Sequence, residues 1–96
     1  MNARELEDQM LTRCMSVARN AWMVADNQRE ANIFRIAGMV VQSRFPREAT
    51  NLIQTSENYF LAHPTDKLHA SDVVQHGWIA SLPRLRDMLS MKLQHH

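Results

Sequence analysis

The stretch SRFPREATNLIQTSENYFLAHP, residues 43–64, combines two prolines with a helical apolar pattern and decides the fold class of this chain. Pro46 lacks a backbone N–H and would clash with a preceding helical turn, so it fits the first turn of a new helix. Pro64 marks the end of that helix. Small and apolar residues between the prolines recur at three- and four-residue steps, which predicts one buried face of a helix over residues 47–62. The residues of this face are Ala49, Leu52, Ile53, Ser56 and Phe60.

The composition extends this helical prediction to the whole chain. Among 96 residues there are only two glycines and three prolines, and 45% of the residues are apolar. Turns between strands need such chain-breaking residues, so their scarcity favours helices joined by short connections. The length suits one domain, and no linker or low-complexity tract divides it. We therefore expect residues 1–96 to form a single helical domain.

Two further helices are predicted before residue 43. The first spans residues 3–25 and carries two adjoining apolar stripes, which make its apolar face wider than one neighbour would cover. The main stripe contains Leu6, Met10, Cys14, Val17, Ala21 and Val24. The adjoining stripe contains Leu11, Met15, Ala18 and Trp22. The second helix runs to about residue 44, with Asp26 or Asn27 as its N-cap, and with Asn27 as the cap Glu30 completes a capping box.

Two helices are also predicted after residue 64. Thr65 or Asp66 can cap a fourth helix that ends near residue 81, and a fifth helix follows over residues 84–93 with Pro83 at its start. The inward-facing residues of the fifth helix are Leu85, Met88, Leu89 and Leu93. The resulting fold class is all-α, a compact bundle of about five helices joined by short turns.

Small residues recur where the second and third helices would touch. Ala37, Ala49 and Ser56 would let the two helix axes approach closely. Bulky residues surround these sites, namely Ile33, Ile36, Val40 and Ile53. An ordinary helical hairpin fits the same residues. If the pattern repeated at a step of about 34 residues, the position that corresponds to Ala49 would be Pro83, which breaks the pattern.

This hairpin resembles a single degenerate tetratricopeptide-like repeat over about a third of the chain. It departs from the repeat in having Ile33 where a large aromatic residue is usual, and in placing its final proline about three residues late. In size and helical pattern the chain is similar to the small type III secretion chaperones that hold needle subunits. That resemblance implies a concave helical surface that receives an amphipathic helix of a partner, and it transfers no functional residue.

The segment SDVVQHGWIASLPRLRDML, residues 71–89, resembles a helix–turn–helix. Gly77 would lie near the turn, and Arg84 and Arg86 would contact phosphates or base edges of DNA. Pro83 falls where the second helix should already be established, and the formal net charge is only +1. Because nucleic-acid binding requires a basic footprint, the charge argues against a nucleic-acid partner. A terminal helical hairpin without DNA contacts is the competing interpretation.

Metal binding and nucleophilic catalysis have weak support in the sequence. His69, Asp72 and His76 share one face of the predicted fourth helix, which is a possible two-histidine, one-carboxylate set. That face is opposite the apolar stripe and is more typical of a solvated surface, so we predict no metal and no cofactor. Cys14 lies within an apolar stripe and is expected to be buried and inert. No glycine-rich phosphate loop occurs, and no nucleophile has a base at motif spacing. We therefore expect no enzymatic activity.

The cellular context follows from the cysteine count and the hydropathy. A single cysteine excludes an internal disulfide and favours a reducing compartment. The N-terminus has no signal-peptide pattern, and no apolar run approaches the ~18 residues of a membrane span. We expect a cytoplasmic protein with no membrane partner.

The wide apolar faces favour a protein-binding role. Four methionines, Met10, Met15, Met39 and Met88, fill predicted core positions. The remaining apolar surface would form a hydrophobic groove that receives a partner's amphipathic helix or a second copy, as in a chaperone, adaptor or inhibitor. The predicted contacts on the first helix are Leu11, Met15 and Trp22. A small helix–turn–helix DNA-binding regulator is the alternative.

Overall fold

The computed structural model describes residues 3–66 and 84–94. These residues form four helices: α1 (Ala3–Ala18), α2 (Gln28–Val41), α3 (Pro46–Ala62) and α4 (Leu85–Gln94). The all-α fold class is therefore confirmed. The predicted helix that ends near residue 81 lies outside the described residues, so four helices are observed where about five were expected.

Helix α3 begins and ends where its two prolines predict. Pro46 occupies the first turn, and the helix ends before His63, whose backbone N–H donates to the Tyr59 carbonyl over 2.9 Å. The His63 ring stacks on the Tyr59 ring with a centroid separation of 4.2 Å. The Tyr59 hydroxyl donates to Asp66 Oδ2 over 2.6 Å, which fixes the turn that follows the helix.

Helix α2 starts after Asn27, one of the two predicted N-caps, and ends three residues earlier than expected. The Asn27 side chain accepts a hydrogen bond from the Glu30 N–H over 2.8 Å. At the other end, the Val41 carbonyl accepts from the N–H groups of both Arg44 and Phe45, which form a turn in place of another helical turn. The extended conformation favoured before Pro46 accounts for the early end.

Helices α2 and α3 form a hairpin with the most extensive packing of any two described helices. The three predicted small sites, Ala37, Ala49 and Ser56, are all buried. Gly38 lies at the tightest point: a Cβ atom built there would be 2.7 Å from Ile53 Cγ1 and 3.0 Å from the Ala49 carbonyl oxygen. The absence of a side chain at Gly38 therefore permits the close approach of the two axes.

Helix α1 is buried on both of its predicted stripes and is shorter than predicted. It ends at Ala18, whereas the pattern predicted a helix to residue 25. Leu11 and Cys14, from different stripes, both lie in the core, because α1 packs against α2, α3 and α4. Glu7 joins α1 to α4, since its carboxylate accepts the Arg84 N–H over 2.6 Å and lies 3.5 Å from the Arg84 guanidinium.

The remaining core predictions have mixed outcomes. Leu85, Leu89 and Leu93 of α4 are buried as expected, and Met88 packs against them at the edge of the core. Met10 is buried and Met15 is half-buried, whereas the core prediction for Met39 is wrong because its side chain is half exposed. No helix within residues 3–66 and 84–94 is long and apolar enough to cross a membrane.

Candidate functional site

The loop between α1 and α2, residues 19–27, carries the most unusual exposed residue of the described chain. Helix α1 ends just before Asn20, which makes two hydrogen bonds to the last helical turn. Its side-chain amide donates to the Ser16 carbonyl over 2.6 Å, and its backbone N–H donates to the Val17 carbonyl over 3.2 Å. Asparagine side chains compete in this way with continued helical hydrogen bonding. The apolar pattern of residues 21–25 therefore belongs to a loop.

Two asparagines of α3 hold this loop. The Asn51 amide donates to the Ala18 carbonyl over 2.8 Å, and the Asn58 amide donates to the Met23 carbonyl over 2.9 Å. Their spacing of seven residues places both on one face of α3, about two turns apart. The loop backbone is thus fixed on either side of Trp22 by hydrogen bonds from a single rigid helix.

An ion-pair cluster fixes the point where the loop meets α2. The Arg13 guanidinium contacts the Glu30 carboxylate through two hydrogen bonds, from Nε to Oε2 and from Nη2 to Oε1, each 2.9 Å long. Glu30 Oε1 also accepts the Asp26 N–H over 2.8 Å. Arg13 lies 5.8 Å from the centre of the Phe34 ring and 3.7 Å from Asp26 Oδ2.

The electrostatics of this cluster favour the charged forms. Burial by itself would raise the pKa of Glu30, but the hydrogen bonds from Arg13 and from the Asp26 N–H, together with the Arg13 charge, outweigh it and lower that pKa. The hydrogen bond to Glu30 raises the pKa of Arg13 above its ordinary value. The pair is therefore ionised at neutral pH, and it ties α1 to the start of α2.

Trp22 projects from the loop in a strained backbone conformation. Its φ is 67°, in the left-handed region that a bulky residue rarely adopts, and the residue is 90% exposed. Val24, two residues later, is also half exposed. Strained backbone maintained by surrounding structure is typical of functional sites, and exposed tryptophan is a frequent energetic anchor of protein interfaces. Both properties coincide at Trp22.

Relief of this strain provides a direct test of it. We expect Trp22→Gly to stabilise the protein by about 1 kcal/mol, because glycine adopts a positive φ without steric cost, although its greater freedom in the unfolded chain offsets part of the gain. The melting temperature should then rise by about 5 °C. Trp22→Ala is the matched control, since it removes the same exposed ring but keeps a Cβ atom at the positive φ. Equal melting temperatures for the two variants would show that the backbone stores no strain.

The three predicted contact residues do not form one surface. Leu11 is only 7% exposed and belongs to the core, and Met15 is half-buried against it. Trp22 lies on the loop and not on α1, because the helix ends at Ala18. Leu11 is therefore covered by its neighbours in the fold, and a contact role for these three residues stays a prediction. Of the three, Trp22 alone is widely exposed.

The other sequence-predicted sites have separate outcomes. The possible metal set His69, Asp72 and His76 lies outside the described residues, as does Gly77 of the helix–turn–helix pattern. Within the ranges that the structure covers, no group of three or more histidine, cysteine or acidic residues could hold a metal. Arg84 is engaged by Glu7, so its guanidinium is not a free phosphate contact.

Cys14 is fully buried, as predicted, and carries no disulfide. Desolvation, reinforced by the negative charge of Glu30, raises the pKa of its thiol to about 12. The thiolate that nucleophilic chemistry requires is therefore not populated at neutral pH.

A second exposed apolar feature lies between α2 and α3. An open groove of about 410 Å³ is lined by Arg35 from α2 and by Glu57, Phe60 and Leu61 from α3. The Leu61 side chain is 79% exposed. Periodicity predicts Phe60 as an inward residue, and its ring is in fact half-buried at the edge of the core.

Sequence reasoning missed three elements of these sites. The asparagine pair Asn51 and Asn58 has a recognisable signal in its seven-residue spacing. Gly38, a rare glycine within a helical pattern, could also have been recognised as a close-approach position. The Arg13–Glu30 pair has no local signal, because 17 residues separate its members.

Comparison of the chain with protein-family models, curated proteins and solved structures yields no match.

Proposed function

We propose that this protein is a non-enzymatic protein-binding module that docks a partner protein through Trp22 and the adjoining loop surface. The observation that carries the proposal is the combination at Trp22 of near-complete exposure with a left-handed backbone. The indole of Trp22 leaves apolar surface in contact with water, which is unfavourable, and the positive φ adds a conformational cost. Burial of the ring in a partner would remove the unfavourable contact with water.

The surroundings of Trp22 support a preorganised anchor. Asn51 and Asn58 hold the flanking backbone, and Glu30 binds the Asp26 N–H at the far end of the loop. A side chain presented on a fixed backbone loses little conformational entropy on binding, so more of its burial appears as affinity. The partner surface that fits a single projecting indole is an apolar pocket with a hydrogen-bond acceptor for the indole N–H.

Chaperone, adaptor and inhibitor roles share this docking chemistry. The burial of Ala37, Ala49 and Ser56 between α2 and α3 supports the proposed tetratricopeptide-like hairpin as the scaffold. The inert thiol of Cys14 supports a non-enzymatic role, and a single unpaired cysteine suits the proposed cytoplasmic location. An amphipathic helix of the partner could supply the pocket for Trp22 between its side chains.

Affinity capture followed by reconstitution tests the proposal. The protein serves as bait in an extract of its native source, captured proteins are identified by mass spectrometry, and the strongest candidate is purified and titrated by calorimetry. We expect direct binding, weakened by at least about tenfold in Trp22→Ala. Met91→Ala is the matched control, because it removes another exposed apolar side chain on a different helix.

Melting curves of the variants must accompany the titration, so that loss of binding is not confused with loss of folding. A purified partner that binds wild type and Trp22→Ala with equal affinity would refute the docking role of the loop. Absence of any directly binding protein would refute the protein-binding proposal itself.

A further inference from the structure

Among the described residues, the lining of the groove between α2 and α3 combines a charge from each helix with an apolar surface. Arg35 stands on the α2 wall, Glu57 stands on the α3 wall, and Phe60 and Leu61 supply the apolar surface. Leu61 points almost entirely into solvent. This surface is distinct from the loop that carries Trp22, because it contains neither a residue of that loop nor the asparagines that hold it.

Both charges in the groove lack partners among the described residues. Arg35 is half-buried and Glu57 is exposed, and neither makes a hydrogen bond or ion pair anywhere in residues 3–66 and 84–94. Arg13, another half-buried arginine, is by contrast paired with Glu30. A partly desolvated guanidinium without a carboxylate is unfavourable, so an incoming carboxylate at this position would be stabilised.

We infer that this groove is the interface between two copies of this chain, related by a two-fold axis. An axis that runs along the groove places the α2 side of one copy against the α3 side of the other. Arg35 of each copy then faces Glu57 of the second copy, and the exposed Leu61 side chains are covered between the two grooves. The patch is thus complementary to itself in charge and in hydrophobicity.

The charge of the whole chain permits this pairing. A formal net charge of +1 produces little repulsion between copies. The four groove residues cover much less than the roughly 800 Å² per partner of a standard interface, so the dimer is weak and forms in the micromolar range or above. This inference does not depend on the proposed partner-binding role of Trp22.

Charge exchange combined with sedimentation analysis tests the dimer. The wild type is expected to shift from monomer to dimer as its concentration rises, whereas Arg35→Glu and Glu57→Arg should each weaken the dimer by about tenfold or more. The double variant R35E/E57R should restore it, because exchange of both charges in a symmetric dimer regenerates two opposite-charge pairs. Leu61→Asp should abolish dimerisation.

Met91→Ala and Trp22→Ala are the controls, because both alter exposed apolar side chains that do not line the groove and lie on other elements. Both should dimerise like the wild type, and circular dichroism should show all variants folded. A wild type that stays monomeric at about 1 mM would overturn the inference, since even a weak specific pair forms at that concentration. A double variant no better than either single variant would also overturn it, as would a groove occupied by another segment of the same chain or by a different protein.

Discussion

Replacement of Glu30 by glutamine is expected to destabilise the fold by about 2 to 3 kcal/mol, the largest single-residue effect that we predict from a charge. The Glu30 side chain is 8% exposed and accepts two hydrogen bonds from Arg13 and one from the Asp26 N–H. A glutamine amide presents N–H groups to some of these donors and leaves the Arg13 charge uncompensated. Arg13 is 31% exposed, so solvent screens part of that loss.

The effect should depend on pH in a defined direction. The pKa of Glu30 is lowered below its ordinary value of 4.5, so the folded state favours the ionised carboxylate. Its contribution is therefore complete above the unfolded-state pKa and is lost as pH falls through the folded-state pKa. Urea denaturation at neutral pH should show the full difference between wild type and Glu30→Gln, and the difference should narrow below pH ~4.5.

Asp26→Asn is the control for this prediction. Asp26 belongs to the same cluster, but its side chain is 76% exposed and lies 3.7 Å from Arg13. Its replacement should cost less than about 0.5 kcal/mol. If Glu30→Gln were as mild as Asp26→Asn, the cluster would not be a stabilising link between α1 and α2.

Side chains introduced at Gly38 are expected to destabilise the α2–α3 hairpin in proportion to their size. A Cβ atom at this position would be 2.7 Å from Ile53 Cγ1 and 3.0 Å from the Ala49 carbonyl oxygen. Neither atom yields easily, because isoleucine is stiff at its first torsion and the carbonyl belongs to the α3 backbone. Overpacking should cost Gly38→Ala about 1 to 2 kcal/mol even after its gain in helix propensity, and Gly38→Val about 3 kcal/mol.

A double-mutant cycle identifies the cause. Ile53→Ala removes the Cγ1 atom, so it should recover about 1 kcal/mol or more of the cost of Gly38→Ala when the two changes are combined. Met39→Ala is the matched control, because this exposed neighbour on α2 should change stability only slightly. Thermal and urea unfolding provide the measurements. A Gly38→Ala variant more stable than wild type would mean that the two helices separate without cost.

The sequence predicts the helices best where their ends have local chemical causes. Pro46 and Pro64 bracket α3, and Asn27 with Glu30 starts α2, because capping groups and prolines act within one turn. The end of α1 was predicted seven residues too late. Its apolar pattern continues to Val24, but the side chain of Asn20 ends the helix and Asn51 and Asn58 hold the loop in place.

The candidate site was also predicted only in part from the sequence. The sequence pattern identified Trp22 as a possible contact but placed it on a helical face, whereas it lies on the loop. Its exposure and positive φ depend on the path of the loop, which hydrogen bonds from α3 determine. Leu11 was predicted as exposed because α1 has two stripes, and it is buried because three other helices surround α1.

The sequence by itself determined the helical fold class, the start of α2, both ends of α3 and the buried small residues between them. These features depend on steric and hydrogen-bonding rules that act over a few residues. Only the tertiary structure decided which stripes of α1 are covered, which charges are paired and which aromatic side chain faces water. Arg13 meets Glu30 and Glu7 meets Arg84 because chain topology brings distant residues together, whereas Arg35 and Glu57 are unpaired within the part of the chain that the structure describes.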